Sequence, residues 1–241
     1  GGWCPSGEPR TRMALAVGVP GYSARPTMEA IVSRVGAKPL VSQLMVVDGG
    51  STDGTREYLE EAARGERRIQ LFLHEKNEGK GAAVRRGISA ARAPITIIQD
   101  ADLEYDPADY AAVIRPILEG ETKVSYGSRV LCKDNDYPLD WFRFGSFVVT
   151  WTANLLYWCR LTDEPTCYKA FDTEFLQSLP LCCQGFEFCP EVTAWTRKRG
   201  QRIIEVPIRY DRRTIEEGKK IRWTDGVVAL WTLLRLRLAR G

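Results

Sequence analysis

Acidic side chains alternate with other residues directly after an apolar run in residues 97–107, IIQDADLEYDP. In an extended chain alternate side chains point to the same side, so we expect Asp100, Asp102 and Glu104 to converge on one face. Carboxylates that lie this close raise one another's pKa values unless a cation neutralises them. A hard divalent cation with oxygen ligands, Mg²⁺ or Mn²⁺, suits such a cluster and takes its remaining ligands from substrate phosphates. The alternative is a solvated acidic loop whose last Asp-Pro pair begins a helix.

Two further segments contain groups that suit a nucleotide or a phosphate. Asp48, in VVDGGSTDGT, could accept hydrogen bonds from a sugar hydroxyl or a base N–H, and a turn or capping aspartate is the alternative. Residues 77–87, NEGKGAAVRRG, combine backbone amides at a predicted helix start with Lys80, which suits an anion. This segment is neither a Walker A motif nor a G-x-G-x-x-G fingerprint, so an ordinary helix start is its alternative.

The elements that position these residues alternate regularly between strand and helix. Strand-like apolar runs begin at residues 14, 43, 69, 93 and 123, and helical patterns cover 27–36, 53–64, 81–92 and 107–120. This alternation predicts a doubly wound α/β sheet. Ligands of such sheets bind beyond the carboxyl ends of the strands, where both acidic loops fall, and this position favours the metal–phosphate interpretation.

Composition indicates the class of protein but does not indicate which partner the protein binds. The chain has 241 residues, 44% hydrophobic and 27% charged, which suits one large domain or two small ones. The formal charge is only +3, but residues 197–240 are rich in Arg and Lys. Nucleic acid, an anionic membrane surface and a phosphorylated ligand are each compatible with that basic segment.

Cysteine usage indicates a cytosolic protein. The seven cysteines include no C-x-x-C pair, and His74 is the only histidine, so a zinc site is not expected. We interpret the cysteines as reduced thiols. Residues 1–12 lack the apolar core of a signal peptide and are predicted to be a disordered segment. The sequence contains no apolar run of the ~18–20 residues that span a bilayer.

Two segments of the second half are unusually apolar. Residues 141–161 are aromatic with few charges, and residues 225–241 place Val227, Leu230, Trp231, Leu234 and Leu238 on one helical stripe. Either segment could lie in a membrane interface, as amphipathic helices that carry Trp and Arg do. Packing on the protein's own sheet or on a partner subunit is the alternative, and the sequence leaves both open.

Taken in order, nine segments resemble the family 2 glycosyltransferases of GT-A fold. More narrowly, the chain resembles the polyprenyl-phosphate branch typified by dolichol-phosphate mannosyltransferase and dolichyl-phosphate glucosyltransferase. The resemblance runs from about residue 14 to 235. The segments are VPGY, VVDGGSTDGT, NEGKGAAVRRG, IIQDADLEYDPADY, YGSR, TDEPTCYKAF, GFEFCPEVTA, EVPIRYDRRT and EEGKKIRWTDG.

This resemblance implies a GT-A fold, that is, a Rossmann-like doubly wound sheet that is mixed but mostly parallel and flanked by helices. It also implies an inverting, metal-dependent hexosyltransferase. The donor would be GDP-mannose or UDP-glucose, and the acceptor a dolichyl or undecaprenyl phosphate at the cytoplasmic face of a membrane. Nucleic acid would not be a partner, whereas a membrane-anchoring subunit or a second copy of the chain stays open. Residues 13–224 would form the catalytic domain and residues 225–241 a helix that could lie in the membrane interface.

The resemblance also assigns roles to individual residues. The metal would be held by Asp100, Asp102 and Glu104. The nucleotide sugar would be bound by Pro20, Tyr22, Asp48, Lys80 and Asp100. The acceptor phosphate would be met by Arg129, Arg213, Lys219 and Lys220. Catalysis would depend on Asp102, Arg129 and Arg213. Glu187 and Glu191 are further acids that could reach the sugar or serve the structure.

The chain departs from the family pattern around the expected nucleotide pocket. The family begins P-x-Y-N-E-E, but Ser23, Ala24 and Arg25 replace the amide and the two acids, and Gly49 replaces an aspartate. These changes imply altered donor choice, weaker donor binding or lost activity. The alternatives are therefore a glycosyltransferase with another acceptor and a catalytically impaired homologue that binds nucleotide sugars.

Overall fold

One seven-stranded sheet organises the computed structural model, which describes residues 15–136, 140–213 and 222–239. Its strands are β1 (Leu15–Gly21), β2 (Val41–Asp48), β3 (Ile69–Leu73), β4 (Ile95–Ile98), β5 (Val124–Ser128), β6 (Lys169–Asp172) and β7 (Ile203–Pro207). The spatial order is β3-β2-β1-β4-β6-β5-β7, and only β6 runs antiparallel to its neighbours among these strands. The predicted doubly wound, mixed but mostly parallel sheet is thus confirmed. The segment predicted to be disordered, residues 1–12, lies outside the described residues.

The helices follow the predicted alternation closely. They are α1 (Arg25–Gly36), α2 (Thr55–Gly65), α3 (Lys80–Ala90), α4 (Tyr110–Leu118), α5 (Trp141–Tyr157), α6 (Thr173–Gln177), α7 (Phe188–Lys198) and α8 (Trp223–Leu238). The pattern over 107–120 divides into a 3₁₀ turn at Pro107–Asp109 and α4, and the Asp106 side chain caps the turn by accepting from Ala108 N. The C-terminal helix begins two residues before the predicted boundary at 225.

The central strands are buried on both faces because helices cover both sides of the sheet. All four residues of β4 are buried, and they alternate between two cores, with Ile97 on one side and Ile98 on the other. β-Branched residues fit such a pleated, doubly covered surface. The apolar run that predicted this strand therefore reflects its burial.

Helices α5, α7 and α8 form a further apolar cluster beside the sheet. Their contact surface contains Val149, Ala153 and Tyr157 of α5 and Ala229 and Leu233 of α8. The Tyr157 hydroxyl donates a hydrogen bond to the Leu233 carbonyl at 2.7 Å. One face of each helix therefore packs on the protein itself. Within the described segments, every helix is too short or too polar to cross a bilayer.

A buried ion pair lies between the sheet and α7. Lys169 of β6 and Glu164 are both fully buried. The Lys169 ammonium donates to the Glu164 carbonyl at 2.6 Å, lies 3.9 Å from Glu164 Oε1, and sits 3.6 Å from the Tyr126 ring centroid. The Thr193 hydroxyl donates to the same Oε1 at 2.8 Å, while Glu164 Oε2 has no hydrogen-bond partner. The pair is thus fixed by the protein rather than by solvent.

Candidate functional site

A cavity of about 510 Å³ opens at the carboxyl edge of the parallel strands. The strands β1, β4, β5 and β7 all run toward this edge, so the segments that follow them meet there. Residues of the cavity wall include Pro20, Tyr22, Lys80, Asp100, Asp102, Glu104, Arg129, Tyr210 and Arg213. Eight of the eleven residues to which the resemblance assigned roles are therefore placed around one cavity, although their individual roles stay predictions.

The acidic segment reaches the cavity through a tight turn. We expected the extended strand to continue through Asp102, but β4 ends at Ile98 and Leu103 adopts a left-handed φ of 65°. The fully buried Gln99 amide donates to the carbonyls of Asp100 at 3.0 Å and Tyr105 at 3.4 Å. The Tyr110 hydroxyl donates to Gln99 Oε1 at 2.9 Å. Gln99 therefore braces the turn, a role that its position in an apolar run could have suggested.

Each cavity acid is paired with a cation. Asp100 accepts from the Lys80 ammonium at 2.7 Å. Arg213 Nη2 donates to Asp102 at 3.0 Å, and the Arg213 backbone N–H donates to Glu104 Oε1 at 3.1 Å. Burial lowers the pKa of Lys80, but the charge and the hydrogen bond of the adjacent Asp100 raise it, and the pKa is held well above its usual value. Lys80 is therefore fully protonated.

The acids still carry an excess of negative charge. Burial, followed by the charges of Asp100 and Glu104, raises the pKa of Asp102 from 3.8 to about 6, despite the charges of Arg213 and Lys80. Three carboxylates against two cations form an oxygen-rich donor set, which fits a hard divalent ion. In the described residues, the carboxylate oxygens of Asp100, Asp102 and Glu104 do not all lie within 4.8 Å of one another. Asp100 pairs with Lys80, whereas Asp102 and Glu104 pair with Arg213.

A buried aspartate, which sequence reasoning missed, fixes Arg129. Asp163 accepts from Arg129 Nε at 2.7 Å, from Nη2 at 2.6 Å and from the backbone N–H at 2.9 Å. Glu205 of β7 in turn accepts from the backbone N–H groups of Thr162 and Asp163 at 2.7 and 3.0 Å. Burial raises the pKa of Glu205 despite these hydrogen bonds. The chain of contacts holds the guanidinium against Tyr210, at the cavity wall.

The residues that depart from the family pattern join two loops. The backbone N–H groups of Ser23, Ala24 and Arg25 donate to side-chain oxygens of Ser51, Thr55 and Asp53 respectively. The Arg25 side chain contacts Glu29 at 2.8 Å and covers the Tyr58 ring instead of lining the cavity.

Gly49 lies at a close approach of the same loops. A Cβ at this position would lie 3.2 Å from the Gly21 carbonyl oxygen. Gly49 and the neighbouring Ser23 and Ala24 line the cavity.

Asp48 is buried behind this wall. Its carboxylate accepts from the backbone N–H groups of Gly50 and Ser51 and from Arg56 Nε, each at 3.2 Å. The side chain is completely buried and does not border the cavity. Asp48 therefore stabilises the loop after β2 through these hydrogen bonds. The other predicted phosphate ligands, Lys219 and Lys220, lie outside the described residues.

A glycine in the first turn of α3 allows a close backbone contact. The Ala82 N–H donates to the Gln184 carbonyl at 3.1 Å, and a Cβ on Gly81 would lie 2.6 Å from the Cys183 carbonyl oxygen. The predicted anion site at this helix start is thus partly occupied by the protein's own backbone. Glu191 is also structural, because its carboxylate accepts from the N–H groups of Cys182 and Cys183 at 2.9 Å.

Glu187 belongs to the same loop contact. Its carboxylate accepts from the N–H groups of Gln184 and Gly185 at 3.2 and 3.0 Å. Gly185 and Phe186 line the cavity, whereas Glu187 does not. Of the two acids considered for contact with a sugar, both therefore support the backbone of residues 182–185.

Comparison with known proteins gives consistent matches. The family model described as glycosyl transferase family 2 matches residues 16–179. Polyprenol monophosphomannose synthase of Mycolicibacterium smegmatis is 28% identical over 252 residues, covering 96% of this chain and 91% of that protein. Glycosyltransferase AglJ of Haloferax volcanii is 27% identical over 198 residues, which cover 82% of this chain and 63% of that protein.

Solved structures agree on the fold. Glucosyl-3-phosphoglycerate synthase of Mycobacterium tuberculosis, in complex with Mn²⁺, uridine diphosphate and phosphoglyceric acid, superposes with a TM-score of 0.69. It is 21% identical, and the superposition covers 96% of this chain and 80% of that chain. The predicted GT-A fold is thus confirmed.

Proposed function

The chain belongs to glycosyl transferase family 2, and from this premise we propose that it transfers a hexose from a nucleotide diphosphate sugar to a polyprenyl phosphate. One observation carries the proposal: a single cavity wall combines three carboxylates with Lys80, Arg129 and Arg213. The name of the Mycolicibacterium smegmatis relative, a polyprenol monophosphomannose synthase, supports a lipid phosphate as acceptor and mannose as sugar. GDP-mannose and UDP-glucose are the donors that we propose.

The chemistry of this reaction matches the charges of the cavity. An acceptor phosphate oxygen forms a bond to the anomeric carbon while the bond from that carbon to the donor diphosphate breaks, which inverts the anomeric centre. The phosphate nucleophile is already anionic near neutral pH, so it needs no general base. His74 accordingly lies outside the cavity. Arginines such as Arg129 and Arg213 suit the binding of both phosphate groups, because charge-assisted hydrogen bonds position and desolvate them.

We propose that Asp100, Asp102 and Glu104 hold Mg²⁺ or Mn²⁺. When bound, such an ion would act as a Lewis acid that stabilises the charge on the departing diphosphate. Crystals of the Mycobacterium tuberculosis neighbour contained Mn²⁺ or Mg²⁺ with uridine diphosphate, which supports use of a divalent ion in this fold. Lys80 and Arg213 neutralise the same acids. When a divalent ion binds these acids, each cation could instead contact the donor diphosphate. Since the acceptor is a lipid, we also propose that the protein acts at the cytoplasmic face of a membrane.

A donor and acceptor panel tests this function. The protein is incubated with radiolabelled GDP-mannose or UDP-glucose and with dolichyl or undecaprenyl phosphate, in Mn²⁺, in Mg²⁺ or in EDTA. Metal-dependent formation of a labelled lipid is the expected result. Transfer only to a small phosphorylated acceptor such as phosphoglycerate would contradict a lipid acceptor and identify a soluble one in its place. Calorimetric binding of a donor without any transfer would instead identify a catalytically impaired homologue.

Asp163→Asn is expected to lower transfer about tenfold to hundredfold. The carboxylate holds the Arg129 guanidinium through two short contacts, and asparagine can accept only one of them. The effect should appear mainly as a raised KM for the acceptor if Arg129 positions its phosphate. Steady-state kinetics with each substrate varied in turn would measure it.

Asp140→Asn is the matched control, since Asp140 pairs with Arg212 where both side chains are partly exposed. Asparagine can still cap α5 as Asp140 does, by accepting from the Arg143 N–H. Rates within about twofold of wild type are expected there, because exposed ion pairs contribute little. Equal losses in both variants would contradict a special role for the Asp163 contact.

A further inference from the structure

Two neighbouring helices expose a large apolar surface. Of the 17 large hydrophobic side chains that are exposed in the described residues, 12 lie on α5, on Trp158 directly after it, or on α8. On α5 and its C-terminal cap the outward stripe comprises Phe144, Phe147, Trp151, Leu155 and Trp158, between 53% and 73% exposed. We call this stripe, together with the outward stripe of α8 defined next, the aromatic face.

The α8 stripe comprises Trp223, Val227, Trp231, Leu234 and Leu238, between 45% and 84% exposed. It largely coincides with the stripe that the sequence placed on one side of this helix. The opposite side of α8 already packs on α5 and α7. The protein's own core is therefore complete without the aromatic face, and continuous exposed apolar surface of this kind marks an interaction site.

The two stripes lie side by side. The Arg237 guanidinium covers the Trp158 ring at 4.6 Å, and Tyr157 donates to the Leu233 carbonyl, so the C-terminal parts of both helices are in contact. The face therefore extends over two helices. Five tryptophans contribute to it or border it: Trp141, Trp151, Trp158, Trp223 and Trp231.

Charge at the margins indicates what covers this face. Residues 140–160 and 222–239 contain five arginines, two aspartates and no lysine or glutamate. Both aspartates are engaged, since Asp140 pairs with Arg212 and Asp225 accepts from the Arg222 N–H. Tryptophan places an apolar ring in the acyl boundary and its N–H among headgroups, and arginine extends its guanidinium toward anionic phosphates. This combination is typical of helices that lie in a membrane interface.

The face begins beside the cavity. Arg213 contacts the cavity acids, and the adjacent Arg212 pairs with Asp140, the N-cap of α5, and lies 5.9 Å from the Phe142 ring. We propose that the aromatic face docks on an anionic lipid bilayer and that docking holds the cavity at the depth of the headgroup phosphates. The statement about depth rests on the proposed function. A lipid acceptor requires this depth, because its phosphate must enter the cavity while its prenyl chain stays in the bilayer.

Vesicle flotation tests docking without any substrate. Wild type is expected to float with phosphatidylglycerol-containing vesicles and to bind at least tenfold more weakly to phosphatidylcholine vesicles or at high salt. The variant Trp151→Glu/Trp231→Glu is expected to lose at least tenfold in binding. The control Leu73→Glu/Leu118→Glu adds the same charge at exposed positions on β3 and α4 and should bind as wild type does. Circular dichroism and urea unfolding would verify that both variants are folded.

A second assay connects docking to catalysis. The tryptophan variant should transfer sugar to a short, water-soluble prenyl phosphate at the wild-type rate but lose at least tenfold with a long-chain acceptor in vesicles. Wild-type binding by the tryptophan variant, or no binding by wild type, would overturn the proposal. So would a wild-type dimer that the two substitutions dissociate, since a second copy would then cover the face. If wild type fails to transfer to either acceptor, the proposed function fails, and flotation still decides docking.

Discussion

Asp102→Asn is expected to reduce sugar transfer by about 10²–10³-fold, the loss typical of removing one preorganised group that stabilises charge in the transition state. Asp102 borders the cavity, contacts Arg213, and has its pKa raised to about 6 by burial and by the charges of Asp100 and Glu104. Asparagine has nearly the same shape as aspartate but supplies one neutral carbonyl oxygen. The substitution therefore lowers the affinity of the site for a divalent ion. Initial rates of labelled product formation at saturating donor and Mn²⁺ would measure the loss.

The control for this experiment lies four residues away. Asp106→Asn is the same substitution at the N-cap of the 3₁₀ turn, where Asp106 accepts from the Ala108 N–H at 2.8 Å. Asparagine caps helices about as well as aspartate, so we expect a rate within about twofold of wild type. Full transfer by Asp102→Asn, or full wild-type transfer in EDTA, would refute the assigned metal site.

Lys169→Met is expected to destabilise the protein by about 3–5 kcal/mol, the range for removing one partner of a buried ion pair. Methionine fills similar space but leaves the fully buried Glu164 carboxylate without its countercharge. Such a loss is a large part of the total stability of a typical domain. Urea unfolding followed by tryptophan fluorescence would give the free energy of unfolding.

The loss should grow as pH rises. Burial already raises the pKa of Glu164 above its ordinary 4.5, while Lys169 lowers it, so removing Lys169 raises it further. Between the unfolded and the folded pKa, the native state then holds a proton that the unfolded state has lost, and stability falls with increasing pH. The double variant Glu164→Gln/Lys169→Met removes both charges and should recover much of the loss. A double variant no more stable than Lys169→Met at pH 8 would contradict this account.

Periodicity and strand order made the position of the cavity predictable, because parallel strands share one carboxyl edge. The conformation of the loops at that edge was not predictable from the sequence. No local pattern signals that Leu103 adopts a left-handed φ, and the position of Gln99 in an apolar run suggests a buried amide without indicating which carbonyl groups it contacts. The Asp163–Arg129 pair joins residues 34 apart, and neither sequence neighbourhood identifies the other partner.

The side of α8 that packs on the protein could not be predicted from the sequence either. The apolar stripe on α8 was recognisable, and the usual inference directs such a stripe toward the core. Here Ala229, Leu233 and Leu236 face the core, while Trp231 and Leu238 face outward. When both sides of a helix are apolar, periodicity alone does not determine which side packs on the protein. Only the neighbouring α5 and α7 determine it.

The antiparallel strand β6 gives the sheet an unusual order of assembly. It pairs with β4 on one side and β5 on the other, yet it follows both in the chain. A nascent chain that ends before Lys169 has made both of those strands but cannot join them. The strand β4 then presents an open edge, and β5 is unpaired on both sides because β7 also follows it in the chain. Pairing across many residues is slow because loop closure must precede it. We therefore expect synthesis of Lys169–Asp172 to separate an early phase, in which unpaired strand edges favour aggregation, from a later phase in which β4 and β5 join one sheet that β7 completes.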